Sequence, residues 1–185
     1  MAIKRLTHPS GRLTVILLVA ALANYLVMVL VTLPALDRMS GGLAPFDMMP
    51  FGYEPVHTFH LLTDLKAQGR GYYLFRQIPL DTLYPALFAL SFFMATNWLA
   101  DRWMAMARPL RVLAILPLFA ALADYTENFL IVSMLRAFPD TPDSLVQTAN
   151  IATLTKSGLT TVFFVGFILA LIGWGISRIR NRSKL

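Results

Sequence analysis

Four apolar runs constrain this chain more than any other feature. They cover residues 13–33, 82–100, 112–135 and 157–177. A run of about 18 or more apolar residues is long enough to cross a hydrocarbon core of about 30 Å as a helix. In lipid the backbone must satisfy its own hydrogen bonds, so each run is expected to be helical. The expected fold is therefore all-α: a polytopic four-transmembrane-helix bundle, read as a single membrane domain over residues 1–185, with a folded extracytoplasmic loop (34–80) between helices 1 and 2. Composition agrees, because only 14% of residues are charged, whereas a soluble domain carries about a quarter.

The first run follows Lys4, Arg5 and Arg12, a flank that a secretory leader shares. Its apolar stretch of about 21 residues exceeds a leader's core, and no small-x-small cleavage pattern follows. A retained span is expected. His8 is given no role.

Basic residues set the expected orientation. Ten of the sixteen Lys and Arg fall in the short segments that lie inside if the N-terminus is inside, among them Arg102, Arg108, Arg111, Arg178 and Arg180. This predicts an N-in, C-in, multi-pass protein of a bacterial inner (plasma) membrane. The net charge of +6 would suggest nucleic acid in a soluble chain. Here the charges flank the spans, so the bilayer is the expected partner and nucleic acid is not. The absence of cysteine excludes disulfides, thiolate metal sites and cysteine nucleophiles. No span carries a His, so bis-His haem between helices is not expected, and no cofactor is assigned.

Loop 34–80 is too long to lack structure. Gly41, Gly42, Pro45, Pro50 and Gly52 read as turns. Residues 54–67 read as a short helix, with Pro55 in its first turn and Gly69 at its end. Thr141-Pro142-Asp143 is a helix start outside the bilayer, from which the last helix could run unbroken into the membrane.

The strongest functional signal is Asp124-Tyr125-Thr126-Glu127-Asn128 in the third span. Asp124 stands about 18 Å along the helix from Val112 at about 1.5 Å per residue. Glu127 and Asn128, at i+3 and i+4, share its face. Each buried acid costs a few kcal/mol or more unless paired, solvated or neutral. Two acids one turn apart repel, so one is expected to keep its proton. Asp124 and Glu127 are thus the catalytic candidates, suited to acid/base work, proton relay or cation binding. A plain alternative is a polar knot that fixes helix packing.

Depth along the spans nominates ligand-binding neighbours. Asn24 and Tyr25 should lie level with Asp124, and Thr160 and Thr161 level with Asn128. Tyr84 and Ser91 fall in the outer half of the second span. Asn128 would orient the acids or a ligand. Lys156, at the edge of the fourth span, is expected to snorkel to the interface, with a pairing to Glu127 only if that helix enters lower.

Two weaker signals lie in the loop. His57, His60 and Asp64 share a face at i, i+3 and i+7, a spacing that could hold a divalent ion, although a solvated helix face is the simpler reading and no metal site is assigned. Gly69-Arg70-Gly71-Tyr72-Tyr73 combines flexible backbone with Arg70, which could read an anionic headgroup or pair with Asp81 or Asp64. Tyr72 and Tyr73 suit the membrane interface, with Tyr73 also a ligand-binding candidate.

The order Gly69-Arg70-x-x-Tyr73, Asp81 and Pro85, Leu116-Pro117, then Asp124-x-x-Glu127-Asn128 resembles a pattern in uncharacterised four-helix integral membrane proteins of bacteria. The resemblance covers about residues 50–128 and implies no activity. Three readings follow from the residues. In the first, an intramembrane carboxylate site binds or acts on a lipid-like or apolar small molecule. In the second, the acids carry a proton or cation, which would need a homo-oligomer. In the third, they dock a membrane protein partner in a larger complex.

Overall fold

The computed structural model describes residues 11–182. The readings placed on Lys4, Arg5, His8 and Lys184 lie outside the described residues. The chain is helical nearly throughout, with no strand among the described residues. Four helices are long and apolar enough to cross a membrane: α1 (Gly11–Met39), α3 (Lys66–Arg102), α4 (Met104–Ala137) and α5 (Asp143–Arg182). The short α2 (Pro55–Asp64) lies between α1 and α3. Large apolar side chains such as Val19, Leu30, Phe119, Phe129 and Leu169 stand exposed on the outer faces, as lipid-facing positions do.

Each helix outruns the apolar run inside it. The runs mark only the length that needs hydrocarbon, and the helical backbone continues beyond them because its hydrogen bonds are already internal. The connection between the first two spans is consequently residues 40–65, shorter than the expected 34–80. α2 begins at Pro55 as anticipated but stops at Asp64. The break comes at Lys66, which takes a left-handed φ of 53°. Gly69 is not a helix stop. It sits inside α3, where an added Cβ would lie 2.8 Å from Leu65 Cδ2, so glycine lets the helix approach its own preceding turn.

α3 is the centre of the bundle. It packs against α1 on one side and α4 on the other, and α5 packs on α4. α5 reaches α3 through rings: Phe92 lies 5.3 Å from Phe163 and 5.2 Å from Phe164. α1 and α5 have no extended contact with each other, which leaves a cleft between them floored by α3. The main core lies at the α2 end, where Phe46, Leu61, Leu62 and Tyr73 are wholly buried with Ile131 and Met134 of α4.

Two π-helical turns shape that end. α1 takes one at Met28–Thr32 and α3 one at Tyr73–Gln77. A π turn adds a residue and shifts which side chains face inward, and such turns recur at functional sites. Here both turn inward a polar residue: Thr32 and Gln77 are buried, and Thr32 Oγ1 donates to Gln77 Oε1 at 2.5 Å.

Candidate functional site: an acidic cavity heading an apolar cleft

Pro85 sets the geometry of α3 at the site. It has no N–H for the carbonyl of Asp81, four residues earlier. Asn128 of α4 supplies the missing donor, its Nδ2 giving a hydrogen bond to Asp81 O at 2.9 Å. From the opposite flank, Asn24 of α1 donates to Leu80 O at 3.0 Å. Two carboxamides thus hold the adjacent peptide groups of α3. Between them the side chain of Asp81 is 3% exposed, and its Oδ2 meets no hydrogen-bond donor.

The acids of α4 meet a lysine from α5. Lys156 Nζ lies 3.3 Å from Asp124 Oδ1 and pairs with Glu127 Oε2. Thr153, one turn before Lys156, donates to Glu127 Oε1 at 2.5 Å. Glu127 is 0% exposed and Asp124 6%. Both acids therefore face into the bundle. Lys156, expected to snorkel outward, instead turns into the bundle onto these acids, its side chain 21% exposed.

A third group comes from the connection between α1 and α2. Asp47, in the short turn Phe46–Met48, accepts hydrogen bonds from the Tyr73 hydroxyl and from Gln77 Nε2. The connection is pinned to α5 at Gly52, whose φ is 91° and where any Cβ would strike the Asn150 side chain. Asn150 Oδ1 accepts from the next backbone N–H, that of Tyr53, at 3.0 Å. Burial pushes the Tyr53 phenol well above its usual range, so it stays neutral beside Thr153.

These groups surround a cavity of about 290 Å³ whose polar wall includes Asp47, Asp81, Asp124 and Lys156. Tyr25, Tyr84, Phe88 and Ala121 form part of its apolar wall. The cavity does not end there. A second space of about 620 Å³ shares Tyr25, Tyr84, Phe88 and Thr160 with it and continues past Leu18, Phe92 and Phe164. A third, of about 340 Å³, shares Leu18 and reaches Trp98 and Leu171. Together they follow the cleft between α1 and α5, polar at the α2 end and apolar along the rest.

The structure separates the sequence candidates. Asp124, Tyr25, Tyr84, Thr160 and Thr161 line the first cavity. Glu127, Asn128 and Asn24 stand behind its wall, committed to Lys156, Asp81 O and Leu80 O. Ser91 bonds within α3, to Phe88 O. Tyr73 is not interfacial; it is wholly buried and holds Asp47. Arg70 pairs with neither Asp64 nor Asp81. Its Nη1 donates to Leu62 O at 2.7 Å and its guanidinium lies 4.5 Å over the Phe138 ring. His57 Nε2 lies 3.0 Å from Ala44 O and His60 packs on Phe59, so the face read as a weak metal site holds no cluster. Among the described residues no three His, Cys, Asp or Glu side chains gather to hold a metal ion.

Sequence reasoning missed Asp47, Gln77, Thr32, Thr153 and Asn150. Asn150, Thr153 and Lys156 recur at spacings of three on α5, a stripe on one face of the helix that the start at 141–143 already implied but that was not read as part of the site. Comparison with family models, curated proteins and solved structures finds no match.

Proposed function

We propose that this is an integral membrane protein that binds an amphipathic, lipid-like molecule, with the polar end in the acidic cavity and the chain along the α1–α5 cleft. The observation that carries this reading is the sharing of Tyr25, Tyr84, Phe88 and Thr160 between the polar cavity and the apolar space beside it. Pockets with a few convergent polar groups and long apolar walls suit such ligands. A ligand would enter sideways from lipid, because α1 and α5 leave the cleft unclosed. Asp124 and Asp81 would face the polar end, and Lys156 would hold Asp124 in place.

The inward-facing acids weigh against a role as a docking surface for another membrane protein. Transport of a proton or ion is disfavoured by the far end of the cleft, whose walls, including Val15, Leu18, Phe167 and Leu171, are almost entirely apolar. The same reading places the acidic cavity in the outer leaflet of a bacterial inner membrane, with both termini inside; the bias of Lys and Arg supports it.

A test uses the protein in phosphatidylcholine nanodiscs with a single-chain amphiphile bearing a diazirine on its tail. Photolabel on Leu18, Phe92 or Phe164 is expected. Labelling confined to the outer faces, at Phe119, Phe129 or Leu169, would contradict the proposal.

A further inference from the structure

From the acidic cavity we infer that the polar end of the ligand is a protonated amine, so that the molecule bound is a cationic amphiphile and not a phosphate-headed one. The inference rests on the amphiphile-binding reading above and narrows it.

The charges decide it. Lys156 is the one basic residue among those lining the cavity, against Asp47, Asp81 and Asp124. Its ammonium is already shared between Asp124 and Glu127. It therefore has little left for an anionic head, and such a head would face two further acidic side chains, Asp47 and Asp81. Asp47 and Asp81 have no basic partner in the cavity. Asp47 is held by two donors, Tyr73 and Gln77, that fix its carboxyl without bringing a full charge.

The buried polar atoms agree independently. Asp81 is 3% exposed, lines the cavity beside the Asp47 carboxyl, and its Oδ2 meets no hydrogen-bond donor. A buried carboxyl oxygen without a donor is costly, and a charged donor relieves the most. An ammonium brings three donors and a full positive charge. Tyr25 and Tyr84, with ring centroids 5.7 Å apart, stand where the polar cavity meets the apolar space. They would line one side of the cavity's mouth, where an ammonium over a ring face gains further attraction.

The experiment compares three ligands of one chain length, hexadecylamine, hexadecanol and hexadecyl phosphate, on the intact protein in phosphatidylcholine nanodiscs. Bound ligand is counted by native mass spectrometry, with empty nanodiscs as the blank. Hexadecylamine is expected to half-fill the protein at a concentration at least about tenfold below the other two, the scale of a charge-assisted hydrogen bond. That preference, read as the ratio of amine to alcohol binding, should be lost in Asp81→Asn and reduced in Asp47→Asn. Asp47→Asn serves alone if Asp81→Asn does not fold. Equal binding of all three, tighter binding of the phosphate, or an amine preference that survives both substitutions overturns the inference and leaves amphiphile binding standing. Binding of none of the three to folded protein overturns both.

Discussion

The ammonium of Lys156 stands 3.3 Å from Oδ1 of Asp124, and the same ammonium closes on Glu127, so one cation from α5 holds two acids of α4 inside the bundle. Removing the cation leaves two buried carboxylates uncompensated. Lys156→Ala is expected to destabilise the folded protein by about 3–5 kcal/mol. The triple substitution with Asp124→Asn and Glu127→Gln should recover most of that loss. Thermal unfolding in detergent checks both. An equal loss in the single and the triple variant would mean that the lysine stem, and not its charge, holds α5 on α4.

Asn128 and Pro85 should be coupled. Asn128→Leu leaves the Asp81 carbonyl without a donor, at a cost of about 1–3 kcal/mol. Pro85→Ala gives that carbonyl its own helical N–H. In that background the cost of Asn128→Leu should shrink by more than about 0.5 kcal/mol, which a double-mutant cycle reads directly. Strictly additive effects would show that Asn128 acts elsewhere.

Gly52→Ala should loosen the connection that carries Asp47. A side chain there would meet both an unfavourable φ of 91° and the Asn150 amide. The expected cost is about 1–3 kcal/mol, read as faster protease cleavage within residues 40–54 than in wild type. Asn150→Ala should accelerate the same cleavage, because it removes the acceptor for the Tyr53 N–H.

Ala21 lies 5% exposed in the wall of the apolar part of the cleft. Ala21→Phe is expected to fill that part and to suppress photolabelling of Phe92 and Phe164, with the protein still monodisperse on size exclusion. Undiminished labelling would place the ligand's chain elsewhere.

Much of this architecture was legible in the sequence. The four apolar runs announced four spans, and Pro55 announced α2. Asp124, Glu127 and Asn128 were singled out because acids are costly at that depth. Helix ends were less legible, since hydropathy reports only the part of a helix that meets hydrocarbon. Lys156 was read at the edge of its apolar run; that it turns inward to Asp124 and Glu127 follows from how α5 packs on α4, which hydropathy does not report. Asp47 could not be found at all. It sits in a connection whose course depends on Gly52, Asn150 and two π turns, and a π turn leaves no clear mark on the spacing of apolar residues. Asn24 was placed at the right level, yet its partner proved to be a backbone carbonyl, which sequence patterns do not reveal.

The central claim is that an amphiphile occupies the cleft between α1 and α5. The cysteine-free chain permits a direct test with Thr160→Cys, in the wall shared by the polar cavity and the apolar space, and Phe129→Cys on an outward face that is 71% exposed. The rate of thiol labelling in nanodiscs is measured at both positions with and without hexadecylamine. The account predicts slower labelling at position 160 and no change at position 129. Equal rates at position 160 with and without the amphiphile, or equal slowing at both positions, would contradict it.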